Sequence, residues 1–228
     1  MSDYKRKKRR KRKKNQKWYV RFRLLLALGA LAVVLAVIVG VTRYRSENPV
    51  NEQVLKEIDS KRPELDVQLL TINDYSRPGT ALEKVKGIVI HYTANPGSTA
   101  QGNRNYFESL KDTHTTKASA HFIVGLEGEI VQCIPTKEIA YASNERNSDT
   151  ISIECCYENE DGSFNQKTYQ EVIHLTAWLC ARFGLNEKDV IRHYDVTGKM
   201  CPLYFVEHED AWEQFRRDVA TYLQEYKK

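Results

Sequence analysis

The sequence predicts an α/β domain, a central mixed β-sheet flanked by α-helices, preceded by a single N-terminal transmembrane helix. Three observations lead there. Beyond residue 50, apolar runs of strand length are interspersed with stretches whose apolar residues recur at helical spacing, the pattern of one sheet with helices on its faces. No internal repeat interrupts it. Residues 24–41, LLLALGALAVVLAVIVGV, are 18 positions without a charge. As a helix they extend ~27 Å, against a hydrocarbon core of roughly 30 Å.

Charge is distributed unevenly. Residues 1–23 hold thirteen Lys and Arg against Asp3, a formal +12; the whole chain carries +5, which leaves −7 for residues 24–228. The basic tail reads as a topology signal that keeps the N-terminus in the cytoplasm and touches anionic lipid headgroups. Trp18 and Tyr19 on one side and Tyr44 on the other suit interfacial anchors. The rival reading is a cleaved signal peptide. Its basic region would be unusually long, and no clear small-x-small site follows, so an uncleaved anchor is expected. The chain is then a single-pass cell-membrane protein with its domain outside. The acidic balance of the rest argues against a nucleic-acid partner.

Residues 42–77 read as a linker and membrane-proximal segment, and 78–228 as the folded domain. Within the linker, Val54, Leu55 and Ile58 sit at helical spacing, and 67–72 alternates weakly as an outer strand. Arg77-Pro78-Gly79 is a turn. Residues 85–92, VKGIVIHY, form a buried strand with His91 near its end. A helix over 99–110 turns Tyr106, Phe107 and Leu110 inward. Residues 120–134 make a hairpin about the Gly125–Gly128 turn. In 150–157, TISIECCY, Ile151 and Ile153 face one way, Ser152 and Glu154 the other. A helix over 169–183 stops at Gly184. After the short apolar run Val190-Ile191, a long helix over 207–226 places Trp212, Phe215, Val219, Tyr222 and Tyr226 on one face.

His91 and His193 each close a short apolar strand, and strand ends along one sheet edge are where α/β proteins build sites. Cys201 follows His193 across a turn containing Gly198. Two imidazoles and a thiolate are three protein ligands with a fourth position open, the arrangement of a catalytic zinc site. The ion would keep a net charge of about +1, enough to acidify a water. Glu154 is the carboxylate suited to act as general base, and Lys199 the cation suited to an oxyanion.

The segments IVIHYTAN (88–95), SAHFIVGLEGEIVQCIP (119–135), RNSDTISIE (146–154) and RHYDVTGKMCP (192–202) resemble, in order, the zinc-dependent N-acetylmuramoyl-L-alanine amidases, relatives of phage lysozyme-type amidases and peptidoglycan recognition proteins. The resemblance spans about 85–205. It implies a zinc groove on a mixed sheet and hydrolysis of the amide between N-acetylmuramic acid and L-alanine of the stem peptide, on the cell-wall side. It matches His91, His193 and Cys201 to the zinc ligands, Glu154 to the catalytic glutamate and Lys199 to the lysine before the last ligand. It departs at Ala120, where some members have a catalytic tyrosine, so the base rests on Glu154. The alternative is a peptidoglycan-binding protein of the same fold that does not cut; a peptidase of the stem peptide is a third reading.

Each residue has a plainer role beside this one: a hydrogen-bonded core histidine, a small buried thiol, a salt-bridged strand carboxylate, a solvated lysine. The ensemble favours the site. His121 is left open between groove wall, a contact behind the ligands and pure structure. His114, His174 and His208 have no constellation around them. Asn95, Arg146 and Asn147 are candidates to touch substrate, by their place beside these motifs alone. Cys180 reads as core, and pairing of Cys133 with Cys155 or Cys156 is left open.

Overall fold

A computed structural model describes residues 50–226. The chain divides into two units, Met1–Gln53 and Val54–Lys228, and the second carries the sheet. Its six strands are β1 (Asp66–Val67), β2 (Gly87–Tyr92), β3 (Phe122–Val124), β4 (Ile130–Gln132), β5 (Thr150–Cys155) and β6 (Val190–Arg192), in the order β1-β4-β3-β5-β2-β6. β2 pairs in parallel with both β5 and β6, and β5 in parallel with β3. The β3–β4 hairpin is antiparallel, and the two-residue β1 lies parallel to β4 at the edge. The sheet is mixed, as expected, and its central strands are buried on both faces.

Helices follow from their caps. In α1 (Val50–Ser60), Ile58 faces the core while Val54 stays exposed. Thr99 accepts a hydrogen bond from the Gly102 N–H to start α2 (Ala100–Thr113). Asn165 does the same for α3 (Gln166–Phe183) through the Thr168 N–H. Gly184, at φ 68°, ends α3 in the left-handed region where a glycine carries no Cβ penalty. Two short helices, α4 (His193–Thr197) and α5 (Leu203–Glu207), precede α6 (Glu209–Leu223). The long helix expected over 207–226 is thus interrupted at His208 and passes into a 3-10 turn at 224–226. The apolar periodicity runs through the break, but Glu209 and Asp210 favour a new N-terminus there, where carboxylates meet the positive end of the helix dipole.

The alternation in β2 and β5 sets the layers. Ile88, Ile90, Ile151 and Ile153 face one core with Val172, Leu175 and Leu179 of α3 and Phe215 and Val219 of α6. The opposite face buries Ile123 and Val131 against Phe107 and Leu110 of α2 and against Leu70. All five cysteines are free and buried, so neither Cys155 nor Cys156 is bonded to Cys133.

The transmembrane helix expected as part of the fold class is corrected: among the described residues no helix is long and apolar enough to cross a membrane. α3 has 18 residues but carries Lys167, Glu171 and Arg182. The stretch 24–41 and the basic tail lie outside the described residues. The fold described is the mixed sheet with its flanking helices.

His121 belongs to this framework. Its ring is 1% exposed. Nδ1 accepts from the Ser152 N–H at 3.0 Å, and Nε2 donates to the Glu138 carbonyl at 2.8 Å, tying the start of the hairpin to β5 and to the loop after β4. Burial pushes its pKa down to about 4. The unfolded chain therefore takes up a proton that the folded protein refuses between pH ~6.5 and ~4. Stability present above pH ~6.5 is lost as pH falls toward 4, by about 3 kcal/mol for this ring. His121→Gln removes that loss. Urea unfolding of parent and variant at several pH values should show the parent losing more over this window; equal losses would mean that the ring is not held neutral.

Candidate active site

The register of three adjacent parallel strands assembles the site. His91 on β2 is the direct partner of Glu154 on β5, so both side chains leave the same face of the sheet. On the other side Ile90 pairs with Arg192, and His193 follows at the end of β6. The His91 and His193 rings stand 4.6 Å apart, centre to centre. All of this lies at the carboxyl ends of the strands, where open α/β sheets place their ligands.

Cys201 arrives by a tight return. α4 ends at Gly198, whose φ of 76° suits a residue without Cβ. The chain turns back until the Cys201 carbonyl accepts from the Tyr194 N–H at 2.9 Å. Arg192 anchors this return from below. Its guanidinium, 8% exposed, binds Asp195 at 2.8 Å, the Phe205 carbonyl at 2.8 Å and Glu209 at 2.6 Å. One buried cation thus ties α4, α5 and the start of α6 together.

His91, His193 and Cys201 are buried, and each offers one donor atom within 4.8 Å of the others. Cys201 Sγ is 3.8 Å from His91 Nδ1. His193 Nδ1 is buried with no hydrogen-bond partner. A metal ion with bonds of about 2.0–2.3 Å fits among three donors this close. Burial, then the neighbouring His193 and Lys199, hold His91 well below the usual histidine range, and burial followed by Lys199 lowers His193. Both rings are thus neutral, the form that ligates. Burial, reinforced by Glu154, pushes the Cys201 thiol up to about 12. A thiolate here needs a cation beside it, which a metal ion provides as it displaces the proton.

Glu154 and Lys199 line the same pocket, a cavity of about 380 Å³. The Glu154 Oε2 atom is buried and makes no hydrogen bond. Burial raises this carboxyl to about 8, while the charge of Lys199 pulls the other way. Lys199 itself is exposed and forms no ion pair among the described residues. The five residues singled out in the sequence therefore share one pocket.

Further groups line it that the sequence did not announce: Tyr92, Lys117, Ser119, Tyr141 and Asn144. Lys117 lies over the Tyr141 ring at 5.3 Å. Of the three residues near the substrate motifs, Asn147 lines the pocket, Arg146 is paired with Asp149 at 2.7 Å, and Asn95 is exposed and outside the lining. His121 is not among the lining residues.

A family model described as N-acetylmuramoyl-L-alanine amidase matches residues 81–203, a span that contains all five residues. The N-acetylmuramoyl-L-alanine amidase CwlL of Bacillus licheniformis is 39% identical over 165 residues, covering 67% of this chain and 45% of the relative. The N-acetylmuramoyl-L-alanine amidase BlyA of Bacillus subtilis (strain 168) is 34% identical over 173 residues, 67% of this chain and 46% of the relative. The chain thus spans about half the length of the curated relatives it matches. Among solved structures, the catalytic domain of XlyA is 28% identical with a TM-score of 0.58, covering 69% of this chain and 99% of that one.

Cys201→Ser should abolish tight binding of a divalent transition-metal ion, because a hydroxyl keeps its proton where a thiol yields it. Metal titration against a chromophoric chelator measures this. Undiminished affinity in the variant would remove Cys201 from the donor set.

Proposed function

Because the chain belongs to the N-acetylmuramoyl-L-alanine amidase family, we propose that its domain hydrolyses the amide between the lactyl group of N-acetylmuramic acid and the L-alanine of the stem peptide in peptidoglycan, with zinc as cofactor. The observation that supports it most is the union, in one pocket, of three candidate metal donors with a carboxyl whose buried oxygen has no hydrogen-bond partner. On this reading the domain works on the wall side of the cell envelope, where that polymer is.

His91, His193 and Cys201 would hold the ion. Zinc bound there supplies a Lewis acid and brings the pKa of a water toward neutrality. Glu154 takes a proton from the attacking water as its oxygen bonds to the amide carbon. It then passes that proton to the departing nitrogen as the C–N bond breaks, so that one water is consumed and a carboxylic acid and an amine are formed. For the first step Glu154 must be ionised. Burial opposes this, Lys199 favours it, and a site charge of about +1 acts with Lys199. Lys199 also stands where an ammonium can offset negative charge on the carbonyl oxygen. The sheet that carries His91 and Glu154 is close-packed on both faces, so neither group has to be repositioned during reaction.

Digestion of purified muropeptides tests the reading: free L-alanine amino termini should be released without new reducing sugars. Tight muropeptide binding by the zinc-loaded protein without any release would instead indicate a wall-binding protein. Glu154→Gln should retain the metal and lose about 10²–10⁴-fold of turnover. Unchanged turnover would exclude Glu154 as the base.

A further inference from the structure

An imidazole has two nitrogens, and the one left to meet a metal is fixed by what the other is doing. In both metal-site histidines the other nitrogen is occupied, and by consecutive residues of one loop. His193 Nε2 lies 3.0 Å from Asn144 Oδ1. An amide oxygen only accepts, so Nε2 carries the proton and Nδ1 keeps its lone pair. That Nδ1 is the buried atom without a partner. His91 Nε2 lies 3.1 Å from Ser143 Oγ, and its Nδ1 is the atom 3.8 Å from Cys201 Sγ. Turning either ring over would break its bond to the loop, and in His91 it would withdraw the nitrogen that faces Cys201.

We propose that Ser143 and Asn144 are positioning residues that fix the ring orientation of His91 and His193, and in His193 the tautomer as well, so that both present Nδ1 to one metal ion. The inference rests on the zinc-site reading above and adds to it the residues that prepare the ligands. The loop is itself held in place. Asn147 Oδ1 accepts from the N–H groups of Ala142 at 3.0 Å and Ser143 at 2.6 Å. The Ser143 carbonyl accepts from the Arg146 N–H at 2.9 Å. Asn144 has φ 52°, in the left-handed region that asparagine tolerates better than most residues. Ser143 is 1% exposed, so water does not compete for its hydroxyl. Both partners are uncharged, so they orient the rings without adding to the charge of the ligand set, in which Cys201 would be the one charged donor.

Two measurements on the full chain test this. In the metal-free protein, long-range ¹H–¹⁵N correlations of the imidazole rings should report His193 as the Nε2–H tautomer; Nδ1–H in that ring overturns the assignment. This measurement needs no variant, so it stands even if a variant unfolds. The second is Zn²⁺ affinity by chelator competition, with the ligand-field bands of the Co²⁺-substituted protein beside it. Ser143→Ala and Asn144→Gly, the latter keeping the left-handed backbone accessible, should each weaken Zn²⁺ by about 10–100-fold and shift the Co²⁺ bands. Ser143→Thr and Asn144→Asp, which keep an oxygen at the same place, should restore affinity. Variants matching the parent in affinity and spectrum overturn the proposal. A parent that does not bind Zn²⁺ at all overturns the zinc reading itself, a different outcome.

Discussion

The site depends on the position of β2 between β5 and β6. Because all three strands run in parallel, residues side by side in register leave the sheet on the same face, and His91, Glu154 and the end of β6 come abreast. A slip of one residue would turn His91 into the isoleucine core and bring Ile90 to the pocket. The isoleucines at 88, 90, 151 and 153 oppose such a slip, since each would lose its burial against α3 and α6. The apolar packing on one face of the sheet thus determines the geometry of the polar face.

The second component is the return from His193 to Cys201, which the sheet does not hold. Arg192 does. Buried among Asp195, Glu209 and the Phe205 carbonyl, with Trp212 and Tyr194 near its guanidinium, it fixes the chain on both sides of the metal donors. Arg192 is buried while Glu209 is largely exposed, so Asp195 and the Phe205 carbonyl carry most of this anchoring. The family match, over residues 81–203, covers this return as well as β2 to β6.

Much of this could be read from the residues. Alternation in 150–157 put Ile151 and Ile153 on one face and Glu154 on the other, because a strand has a period of two and the sheet is buried on both sides. The strand-end histidines and Cys201 were legible as a donor set from residue type and order. Ser143 and Asn144 were not. They lie in a short polar stretch, SNERNS, with no periodicity, and their partners are 52 and 49 positions away. His121 was undecided for the same reason: only the packed structure shows that both its nitrogens are bound within the framework. The break at His208 was hidden because helical periodicity runs through it, and a carboxylate-rich first turn is a weaker signal than an apolar stripe. The spanning helix expected at the N-terminus has no counterpart among the described residues.

The five thiols have a consequence of their own. Cys133, Cys155, Cys156 and Cys180 are packed as small apolar groups, and burial raises the pKa of each. No covalent crosslink holds the described fold together. Its assembly requires no oxidant, and a reductant has nothing in it to cleave. Reducing conditions therefore leave the described fold with every bond it has.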